Sequence, residues 1–263
     1  MSIKRVGIIG SGIMGSGIAQ VAATSGFEVV LRSRKQESAD QTVAAMQKSL
    51  EKLVAKERMS QDDCDAAVGR VTATSNIADL AECDLVIESV VEDLATKLEL
   101  FDELDRVAKD GAVLATNTST LSVTEMAVKT SRPEKVVGVH FFNPAPMMSL
   151  VEIVKTLVSS DDTVDVVRTF AEACGKSPVL VEDRAGFIVN ALLFPYLNNA
   201  VRMLENGTAT RDDIDSAMKG GCNFPMGPLA LLDLVGLDTS LSILDALYAE
   251  FRDPNYAAVP LLR

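Results

Sequence analysis

The sequence predicts an α/β fold with a mostly parallel sheet, followed by a small all-helical domain. Three observations predict it. Val6-Gly7-Ile8-Ile9 is a short apolar run that leads into Gly10-Ser11-Gly12-Ile13-Met14-Gly15; Ile18, Val21 and Ala22 then recur at helical spacing, and Val29-Val30-Leu31 is a second apolar run. Strand-like and helix-like stretches keep alternating as far as Val179-Leu180-Val181, the pattern of a sheet with helices on both faces. From Ala185 onward no strand-like run occurs.

Strand, glycine turn, helix and strand within about thirty residues is the context that gives G-x-G-x-x-G a meaning. Gly10 is expected to make the tight turn, Gly12 to let backbone approach a pyrophosphate, and Gly15 to let helix pack on strand. The phosphates then meet free N–H groups at a helix N-terminus. The alternative is a glycine-rich turn in some other α/β protein. The residues favour a Rossmann-like dinucleotide-binding domain with Gly10, Ser11, Gly12, Ile13, Met14 and Gly15 at the cofactor. A NAD site calls for Asp or Glu at the end of the second strand. Here that end reads Arg32-Ser33-Arg34-Lys35, with three cations and no acid.

A long polar helix is expected over about 36–58, with Lys48, Lys52 and Lys56 four apart on one face. Short strands follow at Val71–Thr74 and at Leu85-Val86-Ile87-Glu88, then an amphipathic helix over about 93–109. Further strands are expected at Ala112–Thr116, Val136–His140, Leu150–Val154 and Val179–Val181, with a helix over about 161–174. After the boundary, placed between residues 184 and 185, helices are expected at about 186–205, 210–219, 227–235 and 238–251. Thr210 reads as an N-cap and Asn206-Gly207 as a C-cap, while Pro195 should kink or interrupt its helix. This helical part is short and very apolar, so a partner subunit is expected to cover it, which makes the protein a homodimer.

Composition narrows the function. A net charge of −12 argues against a nucleic-acid partner. Residues 32–58 nevertheless hold 7 basic and 4 acidic side chains, a positive island read as either a solvated helix face or an anion contact. Four cysteines without a C-x-x-C pair, and a single histidine, leave no pattern for a metal site and suit reduced thiols in the cytoplasm. The first strand begins almost at once, leaving no room for a signal peptide, and the apolar stretches 185–204 and 227–247 are broken by Asn, Pro or Asp, so no membrane span is expected.

Ligands of such a sheet bind beyond the carboxyl ends of its strands. Ser119 and His140 end strands there. Twelve residues past His140, Glu152 sits inside Leu150-Val151-Glu152-Ile153-Val154, where a carboxylate is costly unless paired. A histidine on the neighbouring strand is the cheapest partner. That pair makes His140 a candidate general base for a hydroxyl proton; a purely structural pair is the alternative.

At this point the chain resembles the short-chain L-3-hydroxyacyl-CoA dehydrogenases, in particular the bacterial 3-hydroxybutyryl-CoA dehydrogenases. The resemblance is carried by the glycine hexapeptide, Val91-Glu92-Asp93, Asn117-Thr118-Ser119, Gly138 to Met147, Leu150-Val151-Glu152, Gly186 to Asn190 and Pro225-Met226-Gly227-Pro228. It implies interconversion of a short (3S)-3-hydroxyacyl-CoA and its 3-oxoacyl-CoA, with His140 as base, Glu152 orienting it, Ser119 bonding the reacting oxygen and Asn190 completing the site. Glu92, Lys97 and Asn117 fall on positions lining the nucleotide site, and Lys48, Lys52 and Lys56 become candidates for coenzyme A phosphates. Family members that use NAD carry Asp at the position of Ser33, so Ser33 and Arg34 point to NADP as the favoured cofactor, with NAD still accepted at lower affinity. Two departures stand out: Ala191 replaces an Arg, and the sequence ends at Arg263, before the glycine-rich, aromatic-ended tail usual in such enzymes. A β-hydroxyacid dehydrogenase of the 6-phosphogluconate type needs a catalytic Lys, and Lys176 lies upstream of an ordinary turn. A non-catalytic crystallin-like or dinucleotide-sensing relative has no need of Ser119, His140, Glu152 and Asn190 together.

Overall fold

The computed structural model describes residues 3–263, in two compact units that divide between Asp183 and Arg184. In the first unit, β1 (Arg5–Ile9), α1 (Ile13–Thr24) and β2 (Glu28–Arg32) form the expected opening, followed by α2 (Gln36–Val54), α3 (Gln61–Gly69) and β3 (Val71–Thr74). Then come β4 (Leu85–Glu88), α4 (Leu94–Val107), β5 (Val113–Thr116), α5 (Val123–Val128), β6 (Val136–Phe141), β7 (Leu150–Lys155), α6 (Asp161–Ala173) and β8 (Ser177–Glu182).

These strands make one eight-stranded sheet in the order β3-β2-β1-β4-β5-β6-β7-β8. Every neighbouring pair is parallel except β6 with β7. The strand order reverses between β1 and β4, which places a crevice at the carboxyl end of β1. Central strands are buried on both faces, hence their unbroken apolar runs: Val6, Ile8, Val29, Leu31, Leu85, Ile87, Val137 and Val139 share one core with Ile18, Ala22 and Phe170. A smaller cluster of Met46, Leu50, Cys64 and Ala67 sits between α2 and α3.

The second unit holds α7 (Val189–Glu205), α8 (Arg211–Cys222), α9 (Pro228–Val235) and α10 (Leu237–Phe251). Its core gathers Phe194, Leu197, Val201, Ile214, Leu232, Leu244 and Leu247. Thr210 caps α8 by accepting from the Asp213 N–H, and Gly207 takes a positive φ just past α7. No helix among the described residues is long and apolar enough to cross a membrane.

Three local expectations need correction. Pro195 does not interrupt α7, which runs on through it. A proline removes one ladder bond, and the burial of Phe194, Pro195 and Leu197 outweighs that loss. The long helix over 36–58 is instead α2 ending at Val54, with Glu57 at φ 55, so Lys56 lies past the helix end and only Lys48 and Lys52 share its exposed face. Helix α3 was not expected, because Gln61–Gly69 is short and polar; Ser60 caps it by accepting from the Asp63 N–H.

Candidate active site

The glycine turn after β1 is built by steric exclusion. Gly10 has φ +120, and a Cβ there would lie 2.2 Å from the Ser89 carbonyl oxygen. A Cβ on Gly15 would lie 2.0 Å from the carbonyl oxygen of Gly10, so Gly15 closes the turn on itself as well as seating α1. Gly12 is different: a Cβ there meets nothing within 4 Å. Gly12 is also the N-cap of α1, and no side chain caps that helix. Open space before uncapped N–H groups fits a dinucleotide pyrophosphate. At the end of β2, Ser33 is buried and its hydroxyl lies 2.9 Å from that of Ser11, while Arg34 and Lys35 are exposed. The side chain of Arg32 is partly buried, and its Nε has no hydrogen-bond partner.

The carboxyl ends of β4 and β5 hold a buried polar network. Glu88 is fully buried; Oε1 accepts from the Val90 N–H at 2.6 Å and from Lys97 Nζ at 2.7 Å, and Oε2 accepts from the Thr116 hydroxyl at 2.7 Å. Lys97 is itself 1% exposed and reaches Glu92 at 3.4 Å. Glu92 accepts from the Thr118 hydroxyl at 2.5 Å, the Ser119 N–H at 2.8 Å and the Thr120 N–H at 3.3 Å. Glu92 thus shapes the loop that presents Ser119, and Lys97 stands behind it, joining the two carboxylates. Asn117 ties the same loop to β6, its Oδ1 accepting from the Phe141 N–H at 2.8 Å. Glu88, Thr116 and Thr118 were not singled out from sequence, although Glu88 carried the same signal as Glu152, an acid ending an apolar run.

His140 and Glu152 are direct partners across the antiparallel β6–β7 pair. Both are buried, with Nδ1 of His140 2.8 Å from Oε2 of Glu152. Nε2 lies 3.1 Å from the Ser119 hydroxyl, and the ring stacks tilted on Phe142 at 4.5 Å. With Glu152 ionised, Nδ1 is the donor, which leaves Nε2 of the neutral ring to accept. The first unit therefore brings Ser119, His140 and Glu152 into one chain of hydrogen bonds. Asn190 belongs to the second unit, buried in the first turn of α7. Lys48, Lys52 and Lys56 are exposed. Burial pushes the Cys83 and Cys174 thiols up to about 11, so neither is a thiolate nucleophile at neutral pH.

Comparison with known proteins identifies the family. The family described as 3-hydroxyacyl-CoA dehydrogenase, NAD binding domain, matches residues 5–184, and that described as 3-hydroxyacyl-CoA dehydrogenase, C-terminal domain, matches residues 186–263. The chain belongs to the 3-hydroxyacyl-CoA dehydrogenase family. A 3-hydroxybutyryl-CoA dehydrogenase of Clostridioides difficile is 46% identical over 258 residues, 98% of this chain and 92% of that protein. One of Mycobacterium tuberculosis is 47% identical over 267 residues, 99% of this chain and 92% of that protein. The crystal structure of (S)-3-hydroxybutyryl-CoA dehydrogenase from Ralstonia eutropha matches with a TM-score of 0.97 at 40% identity, covering 100% of this chain and 93% of that one. The protein is thus a dehydrogenase with a nicotinamide cofactor.

The network makes a stability prediction. Lys97→Ala leaves Glu88 buried without its cation, and urea denaturation should show a loss of roughly 3–5 kcal/mol. Lys97→Met combined with Glu88→Gln should recover most of it. A single variant as stable as the parent would show that the pair carries no such weight.

Proposed function

We propose that the protein interconverts short-chain (3S)-3-hydroxyacyl-CoA, such as 3-hydroxybutyryl-CoA, and the 3-oxoacyl-CoA. The hydrogen-bonded chain Ser119–His140–Glu152 carries this reading. Nicotinamide, when bound, accepts the C3 hydride of the alcohol or returns one to the ketone. His140 Nε2 takes the C3 hydroxyl proton in oxidation and gives it back in reduction. Glu152 holds Nδ1–H, fixes the tautomer and offsets the positive charge that the ring gains. Ser119 shares the reacting oxygen with His140, and Asn190 adds a contact from the second domain.

Gly10, Ser11, Gly12, Ile13, Met14 and Gly15 hold the pyrophosphate, with Asn117, Glu92 and Lys97 shaping the nicotinamide end. NADP(H) is the favoured cofactor. No carboxylate at the end of β2 is present to bond a ribose 2′-OH or repel a 2′-phosphate, and Ser33 is followed by the exposed guanidinium of Arg34, a planar phosphate donor. The positive face of Lys48 and Lys52, with Lys56 beyond it, takes the coenzyme A phosphates. The second domain mediates a homodimer: Leu192, Leu234, Leu237 and Leu261 leave apolar surface open on it.

Reduction of acetoacetyl-CoA tests the base. His140→Ala should lower kcat by roughly 10² or more and leave cofactor affinity within a few-fold, with Glu152→Gln impaired in the same sense; near-parental turnover would refute the assignment. Cofactor choice is read separately. A charge-assisted phosphate contact contributes roughly 1.5–3 kcal/mol, so kcat/KM should favour NADPH over NADH by about tenfold or more, and Ser33→Asp with Arg34→Ala should reverse the order. Equal or better kcat/KM with NADH would end the NADP reading. Light scattering should give twice the 28.1 kDa chain mass at micromolar concentration, and a stable monomer would exclude the dimer.

A further inference from the structure

The loop between β6 and β7 joins the strands that carry His140 and Glu152. From Pro144 to Met148 it contains no polar side chain, so its backbone carbonyls must find donors elsewhere. The Pro144 carbonyl accepts from the Met147 and Met148 N–H groups at 2.9 and 3.1 Å. The carbonyls of Ala145 and Met148 are both taken by Lys176 Nζ, at 2.6 and 2.8 Å. Lys176 is remote in sequence. It follows Gly175, whose φ is +68, and directly precedes β8, so it comes after the turn it was expected to precede. Among the described residues it makes no ion pair; its ammonium is committed to these two carbonyls. Burial pulls its pKa below the usual lysine value.

The other side of the loop meets α1. A Cβ at Gly17 would stand 3.1 Å from Ala145 Cβ and 3.3 Å from Pro146 Cδ. Gly17 lies two residues past Gly15 of the dinucleotide turn. The loop is therefore held from two directions: by the helix that starts at the turn, and by a cation from the edge of the sheet.

We infer that Lys176 is a positioning residue for the reaction: by binding the Ala145 and Met148 carbonyls it seats the β6–β7 loop against Gly17, and so sets where the His140–Glu152 pair stands relative to the dinucleotide turn. This rests on the reading of His140 as base. Proton and hydride must leave the same carbon–oxygen unit in one geometry, so a small displacement of the hairpin lowers kcat more than it weakens substrate binding. A loop clamp that served stability alone would lower the melting temperature and leave kcat unchanged.

The test compares Lys176→Met, Lys176→Arg, Gly17→Ala and the Lys176→Met/Gly17→Ala double variant in acetoacetyl-CoA reduction, well below their melting temperatures. Lys176→Met should lose roughly tenfold in kcat with KM for acetoacetyl-CoA within about threefold. Arginine keeps two donors for the two carbonyls and should restore most of kcat. Gly17→Ala presses on the loop from the opposite side; it should lower kcat several-fold, and the double variant should lose less than the product of the two single losses. Parental kcat in Lys176→Met, or in Gly17→Ala if the former does not fold, overturns the inference. His140→Ala is measured alongside. If it keeps turnover, the base reading fails; if it is inactive while Lys176→Met is unimpaired, only the role of Lys176 fails.

Discussion

His140 faces Glu152 across the single antiparallel step of the sheet, and the arrangement of the site depends on that register. Directly opposed residues of an antiparallel pair share a face, which lets the imidazole and the carboxylate meet at 2.8 Å without backbone distortion. A slip of one residue would bring Val151 or Ile153 opposite His140 and turn Glu152 to the other face of a buried strand. An unpaired buried carboxylate costs several kcal/mol, so the contact that orients the ring also penalises the wrong register.

The partner of Nε2 is held by separate means. Ser119 sits on a loop shaped by Glu92, which is backed by Lys97, which in turn pairs with Glu88 at the end of β4. The Thr116 hydroxyl donates to Glu88 and the Thr118 hydroxyl to Glu92. The 3.1 Å Ser119–His140 contact is where two assemblies meet, one across β4 and β5 and one across β6 and β7, and Asn117 ties them together by accepting from the Phe141 N–H. Lys97 serves both Glu88 and Glu92, and His140 faces Glu152, so acids crowd the site without leaving a carboxylate unpaired.

Much of this was legible in the chain. Runs such as Val6–Ile9 and Leu85–Ile87 announce strands buried on both faces, and the glycine hexapeptide fixes where the first turn lies. Glu152 announced a partner because an acid inside an apolar strand requires one, and the chain offers a single histidine. Glu88 gave the same signal, but its partner was hidden. Lys97 lies on an amphipathic helix, where periodicity assigns a lysine to solvent, and only the fold turns it inward. Helix α3 escaped because nine polar and small residues show little periodicity. Lys56 was placed on α2 because charge spacing continues past Val54 with no glycine or proline to mark the end; the left-handed conformation at Glu57 does so instead. Lys176 escaped for a different reason. Its partners are backbone carbonyls, which leave no mark in a pattern of side chains.

The sheet also separates two tasks in space. The proposed cofactor discrimination lies at the end of β2, on one side of the switch point, whereas the proton chain lies at the ends of β5, β6 and β7 on the other. The strands between them, β1 and β4, are buried and meet the ligand side through the glycine turn and Glu88. Ser33 touches Ser11 of that turn. Charge just past β2, at Ser33 and the exposed Arg34, can therefore vary by one or two substitutions remote from the buried β6–β7 register. That asymmetry is a physical reason for one scaffold to keep the proposed base while its nicotinamide nucleotide changes.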